Sequence, residues 1–202
     1  MPIALPLPHE PDAGTGLPPT HAVLEGERGP VTLQSLRPGT RLATREAGAA
    51  AIQWLGRRRL TSDRFAVAPW LAPVLIRRGA LGADTPSRDL LLSPEHLVLY
   101  SDQRARQWFG TGHVPVAALQ LTFLPGVEQV TQCDALYIHA IFGRDSAICV
   151  NGCWIEGGRM DDPAMADPNS ARRAELLHLF PELVTLRGAW RASAESGGVA
   201  TA

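Results

Sequence analysis

The chain has 202 residues, of which 45% are apolar, and that is enough for one globular core with tails. Nineteen basic and twenty acidic residues leave a formal charge of −1, which offers no global attraction to nucleic acid or an anionic membrane. All the basic residues are Arg, and the three cysteines, Cys133, Cys149 and Cys153, are too few and unevenly spaced for a disulfide framework or a zinc site. Neither a cofactor nor a metal is therefore expected. No apolar run approaches the roughly 20 residues of a membrane-spanning helix, and the first eleven residues lack the basic start of a signal peptide. A soluble, cytoplasmic monomer is the default expectation.

Residues 1–20 are rich in Pro and Gly and read as a flexible arm. From 21 to 158 short apolar runs alternate with turn residues. Val31–Leu33 and Arg41–Thr44 flank Arg37-Pro38-Gly39, where Pro then Gly favours a type II turn. Strand candidates follow at Ala51–Leu55, Val74–Ile76, Leu90–Leu92 and Leu97–Tyr100. Further ones are Val114–Val116, Leu119–Phe123, Ala135–Phe142 and Ala147–Val150. Many short strands at close spacing predict an all-β domain. Asn151-Gly152 is a hairpin turn signal, with Cys149 and Cys153 packing on either side as small hydrophobes.

Helix signals come late, in an extension over 159–191. Ser170 can cap a helix at about 171–180, stopped by Pro181, with Leu176, Leu177 and Phe180 on one face. Residues 192–202 are small and polar and read as a disordered tail.

Several ordered segments carry a resemblance. They are Gly29-Pro30-Val31 through Leu36-Arg37-Pro38-Gly39-Thr40, then Gln53-Trp54-Leu55-Gly56-Arg57-Arg58, then Pro73 to Gly82. Leu90-Leu91-Leu92-Ser93-Pro94-Glu95-His96, Tyr137 to Phe142 with Val150-Asn151-Gly152, and Arg173 to Leu183 complete the set. Together they resemble the bacterial Hedgehog/intein (Hint) domain family, over roughly residues 20–184. The resemblance implies an all-β Hint fold with a short C-terminal helix. It also implies self-cleavage: a Cys or Ser at the first domain position attacks the preceding carbonyl, helped by the His of a Thr-x-x-His motif.

On that resemblance His96 matches the motif histidine and Ser93 stands in for the Thr; a structural histidine satisfied by its neighbours is the competing, favoured reading of His96. His139, in the late strand motif, is a further candidate for the active centre, with a hydrogen-bonded core histidine as the competing reading. The nucleophile position falls near Leu17, where Leu17-Pro18-Pro19-Thr20-His21 replaces the family's Cys-Phe-x-x-Gly-Thr. A Leu side chain cannot attack a carbonyl. The terminal His-Asn of inteins is also missing, and Asn151 belongs to a turn. The expected function is a Hint module without autoprocessing, structural or binding a peptide or protein chain terminus. The alternative is an autoproteolytic domain working by an acyl shift assisted by His96, an intramolecular peptidase. A chance match on an unrelated fold would instead show a parallel α/β sheet.

Overall fold

Strands this short cannot bury an apolar face singly, so their stability depends on neighbours on both edges. The computed structural model describes residues 2–6, 22–46, 48–101 and 112–197. Leu17 and the rest of 7–21 lie outside the described residues. The strands are β1 (Ile3–Pro6), β2 (Val23–Gly26), β3 (Gly29–Thr32), β4 (Arg41–Ala43), β5 (Ala49–Leu60), β6 (Val74–Ile76) and β7 (Leu90–Leu92). They continue as β8 (Leu97–Tyr100), β9 (Val114–Ala117), β10 (Val127–Gln129), β11 (Ala135–Phe142), β12 (Ala147–Val150), β13 (Cys153–Glu156) and β14 (Gly158–Arg159). Helices α1 (Ser62–Val67), α2 (Ala171–Leu179) and α3 (Leu183–Gly197) complete the set of α-helices among the described residues.

The strands form one curled sheet in the order β10-β6-β7-β1-β11-β5-β4-β2-β12-β13-β8-β9, with β3 on β2 and β14 on β11. All pairings are antiparallel except β11 with β14. The fold is all-β, as the sequence implies. The long pair β5–β11 is its spine, with a register shift at Ile141/Phe142 that bends the sheet. Because β11 has strands on both edges and cores on both faces, nearly all its side chains are buried. Ile138 and Phe142 enter a first core with Leu24, Leu42 and Ile155; Tyr137 and Ile141 enter a second with Phe65, Leu71, Leu176 and Phe180.

Local signals set the turns. Thr40 N–H closes a turn on the Arg37 carbonyl with Gly39 at φ 87°. Asn151 and Gly152, at φ 49° and 77°, join β12 to β13, and this left-handed pair suits the twist of a hairpin. The buried Asn151 side chain also accepts from Val23 N–H and donates to the Asp89 carbonyl, so the turn ties three segments together. Ser170 caps α2 by accepting from Arg173 N–H, and Phe180 ends the helix.

Three expectations are corrected, and one helix is new. Ile3–Pro6, placed in the flexible arm, is a strand inserted between β7 and β11. Its few residues alternate between the two cores, Ile3 in the first and Ala4 in the second, which a Pro-rich window conceals. Leu119–Phe123 is not a strand; Ala118–Leu121 forms a 3-10 turn, burying Ala118 and Leu121 at the spacing of three that such a turn places on one side. The C-terminal extension holds a second helix, α3, so residues 192–197 are helical and not part of a disordered tail. A helix at 62–67, unannounced by any long apolar period, buries only Phe65.

Candidate functional site at the Ser93–His96 turn

The segment joining β7 to β8 is a tight turn in which His96 N–H donates to the Ser93 carbonyl at 3.0 Å. Ser93 is fully buried and His96 is 1% exposed. A buried turn must pair its main-chain groups, and this one does so with three separate elements: the residue before β1, the 3-10 turn at Ala118–Leu121 and α2. Ser93 N–H donates to the Pro2 carbonyl at 3.0 Å, Leu119 N–H to the Pro94 carbonyl at 2.9 Å and Ala118 N–H to the His96 carbonyl at 2.8 Å. Glu95 N–H donates to Oε2 of Glu175, on α2, at 2.9 Å.

The His96 ring shares the Pro2 carbonyl, with Nδ1 at 3.2 Å from its oxygen. A carbonyl oxygen can only accept, so Nδ1 carries the proton. One peptide oxygen, that of Pro2 at the entry to β1, thus takes two N–H donors, one from each end of a Ser-x-x-His turn.

With that geometry in place, residues 20–161 match the family model of the Hint domain, more than half of the chain. The chain belongs to the Hint domain family. No curated protein matches it. The all-β fold agrees with that membership.

In this Hint domain the His96 pKa is held well below the ordinary imidazole value. Burial is the main cause and the positive charge of Arg172 acts the same way; the main-chain partners Pro2 and Glu156 favour the charged ring but are outweighed. His96 is therefore neutral at pH 7. Glu175, 1% exposed, has its pKa pushed up to about 7, again chiefly by burial. The Ser93 hydroxyl lies beside it and favours the charged form. Neither Ser93 Oγ nor Glu175 Oε1 completes a hydrogen bond of good geometry, so that contact is electrostatic.

Arg172, one turn earlier on α2, pairs with Glu156 at 2.9 Å and Asp162 at 3.0 Å, which locks the helix against β13 and the segment after β14. Among the described residues no group of His, Cys, Asp or Glu is placed to hold a metal ion.

The three thiols offer no ready nucleophile. Cys149 and Cys153 sit on the β12–β13 hairpin, and burial raises their pKa to about 11 and about 12. Cys133 is raised to about 11, also by burial. A thiol reacts as its thiolate, so these are poor attacking groups near pH 7.

His139 is brought to a different setting. Its ring stacks on Phe180 at 5.7 Å and meets Trp54 edge-on at 6.1 Å. Gly158 makes room for it, since a Cβ there would come 2.5 Å from the imidazole Cε1. Gly56, opposite His139 in register, does the same for Trp54 and Phe180, at 2.4 and 2.7 Å. This is a packed aromatic cluster at the end of α2, where Phe180 caps the helix.

Sequence reasoning found Ser93 and His96 but assigned no role to Pro2, Glu175 or Arg172. One signal was present. Arg172, Glu175, Leu176 and Leu179 follow the spacing of a single helix face, and all four are buried. Two charged residues in an apolar stripe must meet partners, because a buried charge left alone is costly.

Proposed function

We propose that this Hint domain holds an extended peptide segment at its Ser93–His96 turn without cutting it. The observation that carries this reading is the Pro2 carbonyl shared between Ser93 N–H and His96 Nδ1. Two donors on one carbonyl oxygen would polarise it for attack, but the residue following that carbonyl is Ile3, whose side chain cannot attack. An acyl shift also needs a proton delivered to the amide nitrogen as the bond breaks. The Nδ1 proton of His96 is engaged on the carbonyl oxygen, and burial disfavours the charged ring that would supply another. With Leu17 near the position a nucleophile would take and every thiol raised in pKa, this reading leaves acyl transfer without an attacking group or an acid. The occupant such a turn suits is main chain in strand conformation, in this chain its own β1.

Intact mass of the full chain, followed over days with and without dithiothreitol or hydroxylamine, tests this. A constant mass is expected. A thiol- or hydroxylamine-dependent loss of an N-terminal fragment, abolished by His96→Ala, would instead establish autoproteolysis.

A further inference from the structure

Both ends of the chain converge on one turn. β1 reaches it through the Pro2 carbonyl, and α2 reaches it through Glu175. The Glu175 contact is not a surface ion pair. The carboxyl is buried and spends one oxygen on a main-chain N–H two residues from Ser93 and one from His96. A buried carboxyl is costly unless it is hydrogen-bonded, and the donor this one takes is an amide of the turn itself.

Ser93 N–H and His96 Nδ1 reach the same oxygen only while the Ser93-Pro94-Glu95-His96 backbone keeps its curvature. Pro94 has no N–H to give, so Glu95 supplies the one amide within the turn that is open to an outside anchor.

We propose that Glu175 is a positioning residue of the Ser93–His96 site, fixing the turn through Glu95 N–H so that both donors converge on the bound carbonyl. Helix α2 is then part of the peptide-holding site. This rests on the reading of that site given above. The groups that face Glu175 are Ser93 and Glu95 of the turn, and Tyr137 of β11, which feels its charge. Arg172 on its own helix acts on Glu95 and His96.

The test uses the full chain and amide hydrogen exchange read by NMR. Glu175→Ala removes the anchor, Glu175→Asp withdraws the carboxyl by one methylene, and Glu175→Gln keeps an oxygen for Glu95 N–H. Alanine and aspartate are expected to speed exchange of the Ser93 amide by about tenfold or more relative to the β5–β11 amides, with Gln restoring most of the protection. The His96 Nδ1 proton signal should broaden or vanish in the same two variants and persist in Gln.

A merely structural Glu175 would lower protection everywhere in parallel, and that result overturns the proposal. Should the variants not fold, the unaltered protein decides. Ser93, Glu95 and His96 resonances must shift with the midpoint of the Glu175 carboxyl, and independence of that midpoint overturns it equally. Intact mass is taken on the same samples. Loss of N-terminal residues sinks the holding function itself, whereas an intact chain without the selective effect sinks only the role of Glu175.

Discussion

Two buried histidines of this fold differ in what surrounds them. His96 is 1% exposed and His139 is 2% exposed. His96 stands among main-chain groups, a carboxyl and an arginine, with its Nδ1 proton directed to a single peptide oxygen. His139 is packed between Trp54, Phe180 and the bare Cα of Gly158, where its ring shape matters. Burial alone therefore does not mark a site. What marks it is a polar surrounding that other elements of the fold are spent on building.

The comparison can be broken at its aromatic side first. Gly56→Ala places a methyl group against Trp54 and Phe180, and overpacking of this kind is expected to cost about 3 kcal/mol in urea unfolding. The His96 ring signals should be unmoved by it. If they shift with the cluster, the two histidines belong to one unit and the contrast fails.

A second measurement exchanges the histidines themselves. His139→Ala is expected to lose about 2 kcal/mol through lost packing, leaving Ser93 amide exchange unchanged relative to the β5–β11 amides. His96→Ala should cost less, about 1 kcal/mol, while speeding exchange at Ser93 and Ile3 selectively. A selective effect from His139→Ala would place it back in the site.

The smallest and sharpest effect is in pH. Glu175 keeps its proton up to about 7 in the folded chain but releases it near 4.5 when unfolded. The folded state then binds more protons in that window, so this group lowers stability as pH rises through it. His96 has the opposite sign: below about 6.5 the unfolded ring takes up a proton that the folded ring refuses, so stability falls on acidification. Each slope is at most about 1.4 kcal/mol per pH unit, and below about pH 6.5, where the unfolded ring takes up its proton, the two oppose each other. The unaltered protein should show a shallower slope there by urea titration than either single variant. Glu175→Gln should lose stability on acidification and His96→Gln should gain it. Parallel profiles in all three would show that these groups do not titrate as their burial requires.

The strands were legible where apolar runs met turn residues, as at Leu90–Leu92 and Ala147–Val150, because a period of two and a Pro, Gly or Asn boundary are local properties. The Asn151-Gly152 turn and the Ser170 cap were legible for the same reason. β1 was not, because Ile3 and Ala4 acquire their meaning only between β7 and β11, far along the chain. Nor was the 3-10 turn at Ala118–Leu121, whose run of apolar residues mimics a strand until its spacing in space is known.

The all-β class, the turns, the Ser-x-x-His motif and the family to which they belong are written in residue types at fixed short separations. What the motif touches is set by the folded chain. The Pro2 carbonyl and the Glu175 carboxyl lie far apart in the sequence, and so do Trp54, Gly158 and Phe180, which pack His139. Those are consequences of strand pairing over long range, where register and sidedness are set by the burial of both faces at once and by no local stretch of sequence.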